Sequence, residues 1–262
     1  MNQESFSSGS VLQVQPHSAD FSEWMSLARE EDLKFEVLEM ALAPALNESG
    51  RFRMLKMQYG ASGLAHSIHG AFIDVNPASG DAEIRAISRK RCAESCALAK
   101  EIGAKNVVFH SSCLSFVRGT YMDRWAGECA EFYEELAETY DLMMMIENSQ
   151  DIDPVPIRQL MNRISDHRIG VCLDLGHANY SGTPVSAWLD SLGERIRYMH
   201  LSDNRGHYDD HLPLGRGTVD WGEVHRFWKQ SGQTMPMTFE VGGLDGVRES
   251  LSYIRKYGYF GE

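Results

Sequence analysis

The chain has 262 residues, 43% of them hydrophobic, with 37 acidic against 25 basic side chains and a formal net charge of −12. That length and apolar content suit one undivided α/β domain over residues 1–262, with no run of about 18 apolar residues to span a membrane and no secretory pattern at the N-terminus. The acidic balance argues against a duplex nucleic-acid partner, and a cytoplasmic location is expected.

Strand-like and helix-like segments alternate along the whole chain. Val11–Val14 reads as the first strand, followed by a capping-box pattern at Asp20 to Glu23 and a helix over 21–31. Phe35–Ala41 is the second strand and 48–59 the next helix. Leu64–His69 is the third strand, and helix 81–102 follows, ending at Gly103. Asn106–His110 is strand four, before helix Tyr121–Tyr140, which carries Trp125, Cys129, Phe132 and Leu136 on one face. Leu142–Glu147 is strand five, with helix 154–165. Ile169–Leu175 is strand six, with helix 184–192. Arg197–Ser202 is strand seven, with helix 220–230. Met237–Val241 is strand eight, with the last helix at 246–257. Runs such as NVVF, LMMMI and MTFEV are apolar on both faces, as in a parallel sheet. Eight such units without a composition break predict a (β/α)8 TIM barrel. The basic groups Arg89-Lys90-Arg91 and Arg51/Arg53/Lys56 read as solvated helix faces. Five cysteines, odd in number and scattered, read as reduced buried thiols.

In such a barrel the chemistry lies at the C-terminal ends of the strands. Those ends carry His69, His110, Glu147, Asp174 with His177 just beyond, His200 with Asp209 and His211 in the following loop, and Glu240. Imidazoles and carboxylates in this mixture suit a borderline divalent cation, zinc or manganese. Glu147, Asp174 and Glu240 each follow an apolar strand, where an ionised carboxylate needs a partner. His66, His167 and His225 lie off the predicted strand ends and read as structural or surface residues. His17 and Glu39 stand near the ends of strands one and two as weaker candidates for the pocket lining. Phe72, Tyr208 and Trp221 are candidate walls of the same mouth, against the plainer reading of ordinary packing.

The stretches HGAFIDVNPASGD, AKEIGAKNVVFH, GVCLDLGHAN and HLSDNRGHYDDHLPLGRG together resemble the xylose-isomerase-like barrel superfamily, which includes endonuclease IV, tagatose-type ketose 3-epimerases and sugar-phosphate isomerase or epimerase homologues. The likeness to endonuclease IV implies three zinc positions: His69, His110 and Glu147; Glu147 (bridging), Asp174, His200 and Glu240; and His177, Asp209 and His211. The likeness to the epimerases implies one manganese-type ion on Glu147, Asp174, His200 and Glu240. The two glutamates then double as acid and base, and Arg205 is the nearest match to a sugar-gripping arginine. The nuclease signature around these ligands is altered. His69-Gly-Ala-Phe72 replaces HxPY, Asp174-Leu-Gly-His177 replaces Asp-Ser/Thr-x-His, and His200-Leu-Ser-Asp203 replaces His-x-Asn-Asp.

The expected activity is therefore a metal-dependent isomerase or epimerase acting on a small sugar or sugar phosphate. It would proceed through a metal-stabilised enediolate, with Glu147 and Glu240 as the two acid/bases and His177, Arg205 and Phe72 contacting substrate. The alternative is an endonuclease IV-like, zinc-dependent phosphodiester hydrolase. The expected cofactor is one to three divalent ions. A small carbohydrate is the expected partner, and a homo-oligomer is compatible with the sequence.

Overall fold

The computed structural model describes residues 11–261. Eight strands pair in chain order, and the last pairs in parallel with the first, so the sheet closes into a barrel. They are β1 (Val11–Val14), β2 (Lys34–Val37), β3 (Ala65–His69), β4 (Asn106–His110), β5 (Met143–Glu147), β6 (Ile169–Asp174), β7 (Ile196–Leu201) and β8 (Pro236–Phe239). The helices between them are α1 (Phe21–Glu30), α2 (Ala43–Asn47), α3 (Ser49–Ser62), α4 (Ala82–Ile102), α5 (Thr120–Tyr140), α6 (Val155–Met161), α7 (Leu175–Tyr180), α8 (Val185–Leu192), α9 (Trp221–Ser231) and α10 (Gly243–Tyr257).

Strand periodicity decides what enters the barrel. Phe35, Val107, Phe109, Met144, Ile146, Val171, Leu173, Met199, Leu201, Met237 and Phe239 face outward into the main core shared with the helices. Val108, Met145, Cys172 and Tyr198 form a separate buried cluster inside the barrel. Two residues further along each of those strands, the side chain again points into the lumen, now at the C-terminal mouth. That step turns Val108 into His110, Met145 into Glu147, Cys172 into Asp174 and Tyr198 into His200. The same step takes Ser67 to His69 and Thr238 to Glu240.

The helical shell follows from apolar stripes and caps. Trp125, Cys129, Phe132 and Leu136 are buried on one face of α5, each such large side chain contributing about 1.5–3 kcal/mol. Asp81 caps α4 by accepting from the Glu83 and Ile84 N–H groups at 2.8 and 3.2 Å, and Gly103 ends it at φ 82°.

Some boundaries differ from the sequence reading. The second strand stops at Val37, and Glu39–Ala41 form a 3-10 turn rather than its end. Residue 175 opens α7, because the Asp174 carboxylate accepts the His177 N–H at 2.5 Å and starts a helix there. The eighth strand ends at Phe239, which places Glu240 just past it. All five cysteines are free and buried. Among the described residues no helix is long and apolar enough to cross a membrane.

Candidate metal centre

Glu147 occupies the middle of the mouth. Its Oε2 lies 3.3 Å from His69 Nε2 and 3.5 Å from His110 Nε2. Its Oε1 lies 3.3 Å from His200 Nδ1. His200 Nδ1 is also 3.4 Å from Glu240 Oε2 and 3.7 Å from Asp174 Oδ2. One ligand-competent atom from each of Glu147, Asp174, His200 and Glu240 lies within 4.8 Å of the others, and the same holds for His69, His110 and Glu147. Both oxygens of Glu147, Asp174 Oδ2 and His200 Nδ1 are buried without a hydrogen bond of acceptable geometry. Leaving such groups unanswered costs about 1–3 kcal/mol each, more when charged. A cation among them would remove that cost, and carboxylate with imidazole is the donor set of zinc or manganese. The residues present therefore fit a divalent metal.

The electrostatics follow from crowding charges in the lumen. Burial pushes Glu147 up, but the imidazoles of His200 and His110 outweigh it and hold the carboxyl well below the usual range. Glu240 shows the same contest, burial against His200, and is also held low. Asp174 loses it: burial raises its carboxyl to about 7. Burial lowers His110 to about 4. For His200 burial opposes the positive form, yet Cys172, Glu240, Glu36 and Glu147 around it raise it well above the usual value. Binding a divalent ion here would displace imidazole protons, so affinity must rise with pH.

A second group stands beside the first. His177 Nδ1 donates to the Asn148 carbonyl at 2.7 Å, and His211 Nδ1 donates to the Glu240 carbonyl at 2.8 Å. A carbonyl only accepts, so both rings turn Nε2 to Asp209 Oδ2, at 3.2 and 2.9 Å. A ring whose other nitrogen is anchored in this way is the usual form of a metal-ligating histidine. His211 adopts φ 48°, a left-handed backbone that a non-glycine residue seldom takes. The hydrogen bond to Asp209 raises His211 to about 9. This group is more open than the first, with side-chain exposures of 34% at Asp209 and 41% at His211.

The loop carrying Asp209 and His211 is held by Asp203. Its buried carboxylate accepts from the N–H groups of Asn204, Gly215 and Val219 at 3.0, 2.9 and 3.2 Å, and from Trp221 Nε1 at 3.0 Å. Trp221 thus lies in the core at the start of α9 and does not wall the mouth. Tyr208 is exposed on the loop. Arg205 is exposed there too; its N–H donates to Asp210, and among the described residues its guanidinium has no hydrogen-bond or ion-pair partner. Phe72 sets its ring against those of His69 and His110, at centroid distances of 4.6 and 4.8 Å. Glu39 anchors the β1 to α1 connection, accepting from Ser18, Arg51 and Tyr59. His17 is exposed, His225 Nδ1 accepts the Phe260 N–H at 3.1 Å, and His167 is a surface residue. A cleft of about 520 Å³ between α3 and α4, lined by Phe52, Lys56, Arg91 and Leu98, lies away from these groups.

One lumen residue was not anticipated. Glu36, fully buried on β2, lies 3.1 Å from His200 Nε2. The alternation in Lys34-Phe-Glu-Val37 marks it: Phe35 and Val37 belong to the outer core, so Glu36 must face inward. A strand running on to Ala41 would have put Glu39 at its end; the strand stops at Val37, and Glu36 is the acid that enters the lumen.

Residues 27–257 match the family model for xylose isomerase-like TIM barrels. An uncharacterised protein of Methanocaldococcus jannaschii is 26% identical over 202 residues, covering 72% of this chain and 69% of the relative. A probable endonuclease 4 of Mycobacterium tuberculosis is 28% identical over 202 residues, covering 72% and 77%. Among solved structures, a D-tagatose 3-epimerase-like protein superposes with a TM-score of 0.78 at 20% identity, covering 94% of this chain and 96% of that one. A protein of Thermus thermophilus soaked with ZnCl2 gives a TM-score of 0.75 at 25% identity, again covering 94% and 96%.

Proposed function

The chain belongs to the family of xylose isomerase-like TIM barrels, and from that premise we propose that it is a divalent-metal-dependent isomerase or epimerase of a small sugar or sugar phosphate. One observation carries the reading. Two carboxylates, Glu147 and Glu240, flank the same His200 Nδ1 at 3.3 and 3.4 Å, beside the unanswered Asp174 Oδ2. Glu147, Asp174, His200 and Glu240 would hold a zinc or manganese ion, which would supply Lewis-acid polarisation of a carbonyl and its neighbouring hydroxyl. One glutamate, ionised, would remove the proton α to that carbonyl, and the other, carrying a proton in the substrate-loaded site, would give it to the same carbon from the opposite face, so that the two exchange protonation states in each turnover. His177 and Arg205 orient substrate oxygens, and Phe72 covers the His69 side of the mouth.

The surroundings favour a small substrate. Glu147, Asp174 and His200 are fully buried, so only a compact molecule reaches them. The rim offers little to a phosphate backbone. Arg118 is paired with Asp153 and Arg216 with Glu249, while Asp74, Asp209 and Asp210 add negative charge. Duplex binding requires a basic track that neutralises several phosphates.

A specific observation supports a second reading, zinc-dependent phosphodiester hydrolysis. His177 and His211 both turn Nε2 to Asp209 Oδ2, a looser arrangement than the two buried groups, and relatives 28% identical to this chain are probable endonuclease 4 proteins. Ketose epimerisation and nicking of an abasic duplex should be assayed side by side on manganese- and zinc-loaded protein. The proposal expects sugar turnover, lowered about 10²–10⁴-fold by either Glu147→Gln or Glu240→Gln. Nicking without sugar turnover would assign the second reading instead.

A further inference from the structure

Among the described residues Glu36 has no salt-bridging Lys or Arg, yet it is completely buried. Each of its hydrogen bonds to the described residues is one that it accepts. Its Oε2 accepts from the Tyr198 hydroxyl and from the Thr238 hydroxyl at 3.0 Å, and faces His200 Nε2 at 3.1 Å. Its Oε1 accepts from Gln15 Nε2 at 2.9 Å. The same Gln15 nitrogen donates its second hydrogen to Glu240 Oε1. A buried carboxylate whose only task is to fill space is a poor choice, because a neutral side chain of similar volume avoids its desolvation. Tyr198, Thr238 and Gln15 could each be satisfied by a neutral acceptor. The imidazole of His200 is where a full negative charge makes a difference.

We infer that Glu36 is a positioning residue for the lumen cluster: it takes the Nε2–H of His200, so that Nδ1 is presented to Glu147, Asp174 and Glu240, and through Gln15 it fixes the orientation of Glu240. A carboxylate can only accept, which assigns the proton to Nε2 and leaves Nδ1 as the ligand atom. A charged acceptor behind a ligating imidazole also raises the basicity of the ligand, and removing such a partner typically weakens metal binding by about 10- to 100-fold. The inference rests on reading the lumen cluster as a metal site, but not on which substrate is turned over.

The test compares zinc and manganese affinity of the purified full chain with that of Glu36→Gln and Tyr198→Phe, by competition with a chelating dye. Nitrogen-15 spectra of His200 are recorded in the zinc-loaded proteins. The expected result is a loss of about 10- to 100-fold in Glu36→Gln. Tyr198→Phe, which removes one donor but leaves the carboxylate behind His200, should lose less than that, under about tenfold. In the zinc-loaded wild type, Nδ1 should carry the metal shift and Nε2 the proton. Unchanged affinity in folded Glu36→Gln, or zinc on Nε2, overturns the inference. Should Glu36→Gln not fold, Glu36→Asp withdraws the charge from the ring and carries the same comparison. Wild-type protein that binds neither ion would overturn the metal-site reading itself, a result distinct from equal binding by wild type and variant.

Discussion

Asp151 lies in the loop after β5 with its carboxylate buried; Ser111 Oγ donates to it at 2.6 Å and the Ser149 N–H at 3.3 Å, while Oδ1 has no partner. Burial raises its carboxyl to about 7. The folded chain therefore holds this proton up to about pH 7, whereas the unfolded chain releases it near pH 4. Stability contributed by the site is complete below pH 4 and is lost as the pH rises through 7, with a slope of at most about 1.4 kcal/mol per pH unit. Asp151→Asn mimics the protonated acid and should remove that slope. Urea midpoints at pH 5 and pH 8 check it: the variant should gain on wild type as the pH rises, and parallel profiles would contradict the assignment. Glu36 is the contrasting case, equally buried but held below the usual carboxylate range, because His200 outweighs burial. Residue identity alone does not separate the two acids; their neighbours across the barrel do.

The loop between β7 and α9 shows the same dependence one level up. Asp203 and Leu212 exchange backbone hydrogen bonds at 2.9 and 2.8 Å, which folds the loop back and carries Asp209 and His211 over the mouth. Gly217 passes so close that a Cβ there would overlap the Asn204 carbonyl oxygen and Asp203 Oδ1. The obstructing atoms include backbone, so they cannot swing aside. Gly217→Ala should destabilise the protein by about 1–3 kcal/mol, the usual cost of overpacking. It should also loosen the Asp209–His211 pair more than Glu147 and Glu240, which stand on strands. Thermal unfolding measures the first effect, and proton NMR of the His211 ring the second. An alanine variant as stable as wild type would mean that the loop has room to yield. Much of this architecture was legible in the sequence. Uninterrupted apolar strands, each ending in a His, Asp or Glu, placed His69, His110, Glu147, Asp174, His200 and Glu240 on the rim. What escaped were features set by three-dimensional neighbours. Asp203 stood out only as the end of the altered His200-Leu-Ser-Asp203 motif, although it is the loop's anchor. Trp221 read as a wall for the mouth, although its indole is buried against that anchor. The short helices α2 and α7 follow directly on a turn or strand and lack the long periodic stripe that announces a helix.

At the scale of the whole barrel, the candidate ligands come from separate strands: His69 from β3, His110 from β4, Glu147 from β5, Asp174 from β6 and His200 from β7, with Glu240 just past β8. An ion bound among them joins the part of the sheet running from β3 to β8, so ion binding and folding must be linked. A ligand that binds only the folded state at 100 times its Kd adds about 2.7 kcal/mol. For a chain of this size that raises Tm by about 5–10 °C. Zinc or manganese should produce such a rise and a chelator should reverse it. Glu147→Gln should abolish most of it, because that carboxylate lies within reach of both His69/His110 and the Asp174/His200/Glu240 set. His211→Ala should leave the rise from the buried ions in place, since the His211 ring hydrogen-bonds Asp209 and the Glu240 carbonyl and none of the buried side chains. It should instead lower the number of zinc ions measured per chain by one if the outer group binds its own ion. If His211→Ala lost no zinc, the outer histidines would serve the mouth as hydrogen-bond donors, which favours sugar chemistry over a three-ion hydrolase.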